Sequence, residues 1–234
     1  MIEGKGQGLI ILLHGAPGTG KTLTAESVAE LAEKPLYRVT CGDIGTDAES
    51  VERYLETVSH IGATWDCVVL LDEADVFLEE RTQMDLQRNA LISVFLRVLE
   101  YYEGILILTT NRVGTFDGAF KSRVQLAMFY PRLDINGRRK VWNNFIQQLK
   151  DSMDTVNFDQ LESNLVELAQ PVLNGRQIRN VTKTARQLAH HQRKPLAFGH
   201  FERAIKIATD FEDYVKQIHG HDDDEWAREQ RIRS

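Results

Sequence analysis

Residues 9–22 read LIILLHGAPGTGKT, from Leu9 to Thr22, and this stretch decides the fold. Leu9-Ile10-Ile11-Leu12-Leu13 is apolar without alternation, which predicts a strand covered on both faces, as in a parallel sheet sandwiched by helices. Gly15-Ala16-Pro17-Gly18-Thr19-Gly20-Lys21-Thr22 then fits G-x-x-x-x-G-K-[ST] and opens a helical pattern. The glycines let successive backbone N–H groups curl around a phosphate, and the helix N-terminus favours negative charge. Lys21 is positioned for β- and γ-phosphates, and the Thr22 hydroxyl for Mg²⁺. The expected nucleotide cradle therefore comprises Gly15, Ala16, Pro17, Gly18, Thr19, Gly20, Lys21, Thr22 and Leu23.

The same strand-then-helix rhythm continues outward. Leu36–Thr40, Val68–Leu71, Ile105–Thr109 and Val124–Phe129 are further strand candidates, giving a five-stranded parallel α/β sheet. Helical spacing covers Thr22–Glu33 and Ser50–Ile61, with Thr46 and Glu49 placed as a capping box for the second. From Asp85 to Tyr101, Leu86, Ala90, Leu91, Val94, Phe95, Val98 and Leu99 fall on one helical face. At Tyr130-Pro131 the pattern turns all-helical, with helices expected near 137–149, 158–169, 175–191 and 199–218. The chain thus divides into an α/β region over 1–131, a small helical region over 132–218 and a charged, mobile tail over 219–234.

Composition narrows the function classes. The 234 residues carry 42% apolar and 26% charged side chains, which suits a globular protein with a substantial core. No apolar run is long enough to span a bilayer, and no secretory signal is recognisable. Two cysteines, Cys41 and Cys67, make no disulfide framework, and Cys67 reads as a buried small apolar residue in an intracellular protein. The net charge of −6 gives no support for a basic nucleic-acid surface. Residues 1–130 hold 11 Lys/Arg against 19 Asp/Glu, whereas 131–218 hold 14 against 10. That asymmetry fits either complementary modules or two differently solvated surfaces.

The third strand candidate ends in Asp72-Glu73, within Val68–Phe77, VVLLDEADVF. Ligands of parallel sheets collect outside the carboxyl ends of the strands, so this acidic pair belongs beside the phosphate loop. Asp72 is expected to hold Mg²⁺ through water and Glu73 to orient and deprotonate the attacking water. Thr109-Thr110-Asn111 ends the fourth strand, where the Asn111 amide can bond both a γ-phosphate and the lytic water.

With GAPGTGKT, VVLLDEAD, LTTNR, FDGAFKSRV and YPRLD in this order, the chain resembles the AAA family, the ATPases associated with diverse cellular activities. The resemblance covers about residues 8–218 and is nearest to AAA proteins of filamentous fungi. It implies ATP and Mg²⁺ as ligands, a helical lid, and a homo-oligomeric ring, usually hexameric, that remodels a macromolecule, with protein as the expected substrate class. By the same resemblance Asn111 is sensor 1 and Arg123 an arginine finger acting on a neighbouring subunit. Gly175 and Arg176 stand at the sensor-2 element, with Arg179 as the alternative arginine. Thr40–Asp47, where relatives that thread polypeptides carry an aromatic pore loop, has no aromatic residue. The start only 14 residues before Gly15 is expected of a module excised from a longer protein.

Two other function classes stay open at this point. One is a nucleotide-gated assembly module with negligible turnover. The other is a clamp-loader-like ATPase, whose Ser-Arg finger Ser122-Arg123 resembles. The letters DEAD also occur in helicases, but those need a second motor domain, and no second phosphate-loop pattern follows residue 131.

Overall fold

The computed structural model describes residues 8–40, 47–78, 86–111, 116, 118–150 and 155–219. Contact density divides them into two units. The first runs to Tyr130 without Pro17–Thr19, and the second comprises Pro131 onward together with Pro17–Thr19.

Five strands form the first unit's sheet: β1 (Leu9–Gly15), β2 (Leu36–Thr40), β3 (Val68–Asp72), β4 (Ile105–Thr110) and β5 (Leu126–Tyr130). Their order is β2-β3-β4-β1-β5 and every pairing is parallel. Helices α1 (Lys21–Leu31), α2 (Ala48–Trp65), α3 (Asp75–Leu78), α4 (Leu86–Glu100) and α5 (Gly118–Lys121) complete it. The sheet is covered on both sides. One core packs Leu12, Val69, Leu71 and Leu108 against Val51, Leu55, Phe95 and Leu99 of α2 and α4. The other sets Leu13, Leu70 and Ile107 against Ala25 and Ala29 of α1.

Sequence and structure part company in three places here. Leu126, Met128 and Phe129 of β5 are exposed, because β5 is an edge strand rather than a strand covered on both faces. On α4, Leu86 and Ala90 face solvent, while Ile92 and Leu96 are buried with Leu91, Phe95 and Leu99. The N-cap of α2 is Asp47, whose carboxylate accepts from Ser50 N–H at 2.9 Å. Thr46 lies outside the described residues. Cys67 is buried as expected, and loss of hydration raises its thiol pKa.

The second unit is helical: α6 (Ile135–Lys150), α7 (Phe158–Ser163), α8 (Leu165–Leu168), α9 (Gly175–Gln192) and α10 (Phe198–His219). The single helix expected over 158–169 is broken at Asn164, whose amide turns back to the Gln160 carbonyl at 2.7 Å. Asn174 and Gln177 form a reciprocal capping box that starts α9. The core gathers Trp142, Ile146, Leu161, Ile178, Ala185 and Phe201.

Arg138 of α6 is 7% exposed and donates to the carbonyls of Ala169 (2.8 Å), Leu133 (2.8 Å) and Gln170 (3.4 Å). It ties the start of α6 to the segment after α8. Replacing it by Met takes this donor from the buried Ala169 carbonyl and from two partly buried ones. Arg138→Met is therefore expected to cost about 2–4 kcal/mol of stability in denaturant unfolding followed by circular dichroism.

Candidate nucleotide site

The carboxyl ends of β1, β3 and β4 bring the sequence motifs of the first unit together. Gly15 ends β1 with φ +132°, and a Cβ there would stand 2.2 Å from the Tyr130 carbonyl oxygen, so only glycine fits. Gly20 occupies the N-cap of α1 with φ +104° and offers no side-chain cap. The helix N-terminus therefore presents backbone donors that an anion can accept.

Lys21 is 6% exposed, and its ammonium donates to the carbonyls of Gly15 (2.9 Å) and Ala16 (2.7 Å). A phosphate would give this buried cation an anionic partner. Its charge also acts on His14, whose Nδ1 is buried without a hydrogen bond among the described residues. Burial first, and Lys21 second, hold the His14 pKa below the ordinary value of 6.5, so the imidazole stays neutral near pH 7.

Thr22 Oγ1 lies 3.2 Å and 3.3 Å from the two carboxylate oxygens of Asp72. A hydroxyl and a carboxylate are the hard oxygen donors that Mg²⁺ takes alongside substrate phosphates, so these residues fit the metal. Asp72 is 5% exposed, and the Thr109 hydroxyl donates to its Oδ1. Thr109 Oγ1 also accepts from Glu73 N–H at 3.0 Å, and its carbonyl accepts from Ala74 N–H at 2.9 Å. Thr110 donates to Asp75. Two strand threonines thus set the whole Asp72–Asp75 turn.

Glu73 itself is exposed, with φ +58°, in the left-handed region that a non-glycine residue occupies only when its surroundings enforce it. Asn111, half-buried, follows directly from β4. Thr109 and Thr110 have no distinguishing mark in sequence, since β-branched residues are ordinary strand formers. The register that sets Leu71 opposite Leu108 is what brings Asp72 beside Thr109.

Arg123 lies elsewhere. Its guanidinium donates to Glu100 Oε2 at 2.9 Å and to the Ala119 carbonyl at 2.7 Å. It lines a cavity of about 320 Å³ with Gly8, Ile10, Tyr102 and Gln125, at the amino ends of β1 and β5. The phosphate loop is at the other end of β1, roughly 20 Å away at about 3.3 Å per strand residue. In the second unit, Gly175 is the first residue of α9, and Arg176 and Arg179 are exposed on its first turns. Cys41–Thr46, Arg112 and Asp117 lie outside the described residues, so most of the pore-loop stretch is not described.

The chain is similar to known proteins. Residues 11–132 match the family model of the ATPase family associated with various cellular activities, and residues 133–222 match that of the fungal AAA+ ATPase lid domain. Fidgetin-like protein 1 of Drosophila melanogaster is 28% identical over 155 residues, 62% of this chain and 29% of that protein. A 26S proteasome regulatory subunit homolog of Methanothermobacter thermautotrophicus is 27% identical over 210 residues, covering 84% of this chain and 54% of its own length. The ATP-dependent zinc metalloprotease FtsH of Buchnera aphidicola is 26% identical over 215 residues, 83% and 33% of the two chains. The chain thus spans between about a third and a half of these relatives. The crystal structure of the FIGL-1 AAA domain in complex with ADP shares the fold, with TM-score 0.65 and 18% identity over 86% of this chain and 72% of that one. Among the described residues no helix is long and apolar enough to cross a membrane. With one family model matched over residues 11–132 and the other over 133–222, the chain belongs to the AAA family of ATPases, with a lid of the fungal type.

Proposed function

We propose that this chain is a Mg²⁺-dependent ATP-hydrolysing module that works as a homo-oligomeric ring, most simply a hexamer, and spends ATP on remodelling a protein. The cluster Thr22–Asp72–Thr109–Glu73 carries this reading, because it holds a metal-type oxygen pair and an exposed carboxylate at fixed positions beside the phosphate loop. Mg²⁺ held by Thr22 and Asp72 would supply neutralisation of the phosphate charge. Lys21 binds the phosphates, Thr22 and Asp72 hold the metal, and Asn111 orients the lytic water. Glu73 takes the proton of that water as it attacks. In the second unit, Gly175 and Arg176 supply the lid's nucleotide contacts.

The ring is supported by the position of Arg123. An arginine at the opposite end of β1 from the phosphate loop cannot serve its own protomer's site, whereas a second copy can receive it. A protein substrate is supported by the relatives, one named as a protease and one as a proteasome regulatory subunit homolog. ATP turnover per protomer is therefore expected to rise with protein concentration. Arg123→Ala and Glu73→Gln, each inactive alone, are expected to recover a measurable fraction of activity when mixed, through interfaces that pair an intact Arg123 with an intact Glu73. Concentration-independent turnover with no recovery on mixing would exclude catalysis in trans.

A further inference from the structure

The sequence motifs assign no role to Arg38, yet its guanidinium donates to Asp72 Oδ2 at 2.6 Å. Arg38 stands on β2 opposite Leu70, with Thr40 opposite Asp72, so its side chain reaches along the strand toward the carboxyl end of the sheet. The Asp72 side chain is 8% exposed and that of Arg38 49%, so the guanidinium approaches the carboxylate from the solvent side. The other partners of Asp72 among the described residues are the hydroxyls of Thr22 and Thr109. Arg38 is thus the charged contact of the carboxylate that Mg²⁺ would use.

A bare carboxylate beside Thr22 repels a triphosphate. Mg²⁺ cancels that repulsion when present, and a permanently charged guanidinium cancels it when Mg²⁺ is absent. One donor of the planar fork engages Asp72, which leaves further N–H groups that can turn to phosphate oxygen. We propose that Arg38 is a nucleotide-binding residue of this chain, which neutralises Asp72 so that ATP binds before the metal and which yields the Oδ2 position once Mg²⁺ is loaded. The proposal rests on reading Lys21, Thr22 and Asp72 as the nucleotide site.

A structural ion pair at the edge of the sheet would influence folding alone. A binding role instead changes how strongly metal and nucleotide support each other. The test is calorimetric ATP binding in Mg²⁺ and in EDTA for the wild type, Arg38→Gln, Arg38→Lys and Lys21→Ala. Arg38→Gln is expected to weaken binding about tenfold or more in EDTA and by less than about threefold in Mg²⁺, as one charge beside a phosphate implies in partly solvated surroundings. Arg38→Lys should restore most of the metal-free affinity. The ratio of the two affinities within one protein does not depend on its folded fraction, so a loss of stability cannot imitate the result. Equal weakening in both buffers, or none in either, overturns the role of Arg38 while Lys21→Ala still reports on the site. A wild type that binds ATP in neither buffer overturns the nucleotide site and this role with it.

Discussion

Glu73→Gln is expected to lower steady-state ATP turnover by about a hundredfold or more while leaving ATP affinity within about threefold. General-base assistance contributes roughly 10²–10⁴ in rate, and an amide of the same shape cannot accept the proton. The substitution keeps the backbone at φ +58° and the Glu73 N–H bond to Thr109, so the Asp72 carboxylate stays in place. The groups proposed to bind phosphate, Lys21 and the N-terminus of α1, are untouched. Phosphate release measured by a coupled assay, with nucleotide affinity from calorimetry, separates the two effects. Turnover equal to that of the wild type would remove Glu73 from the chemistry.

Lys21→Ala acts at the preceding step, and ATP binding is expected to weaken by at least about a hundredfold. Charge-assisted hydrogen bonds contribute about 1.5–3 kcal/mol each, and the ammonium is placed to make more than one to a polyphosphate. In the folded chain that ammonium satisfies the carbonyls of Gly15 and Ala16, so its loss also leaves two loop acceptors without this donor. A melting temperature lowered modestly, together with a binding signal that disappears, is the expected pair of results. Wild-type affinity in Lys21→Ala would mean that nucleotide binds somewhere other than this loop.

Much of the fold could be read from the chain. The central strands β1, β3 and β4 are unbroken apolar runs because both of their faces are covered, and their ends carry the motif residues. The same apolar signal misled at β5, since a run such as Leu126–Tyr130 looks alike in the middle of a sheet and at its edge. Strand order, which local sequence does not encode, decides between the two. On α4 the error was one of phase. Leu86 and Ala90 fit the periodic face but stand on the helix's first turns, where they face solvent.

The placement of Lys21, Thr22, Asp72 and Glu73 at neighbouring strand ends was legible because each sits at a fixed spacing within a short segment. Thr109 and Arg38 were not, because each meets Asp72 only through pairing of neighbouring strands, and neither residue type is unusual in a strand. The structure also gives Asp75 a partner, the Thr110 hydroxyl. Thr109, Thr110 and Arg38 surround the acidic turn with contacts that no motif records. Arg123 was legible as a candidate by resemblance, but its hold on Glu100 needed coordinates.

We propose that the loop after β1 and the acidic end of β3 form one ATP site. A crystal structure of Glu73→Gln grown with ATP and Mg²⁺ tests it most directly. The predicted result is uncleaved ATP, its triphosphate at the N-terminus of α1, Lys21 on the phosphates, and the metal between Thr22 and Asp72. Density for ADP alone in the variant, or a nucleotide bound away from Lys21 and Asp72, would contradict it.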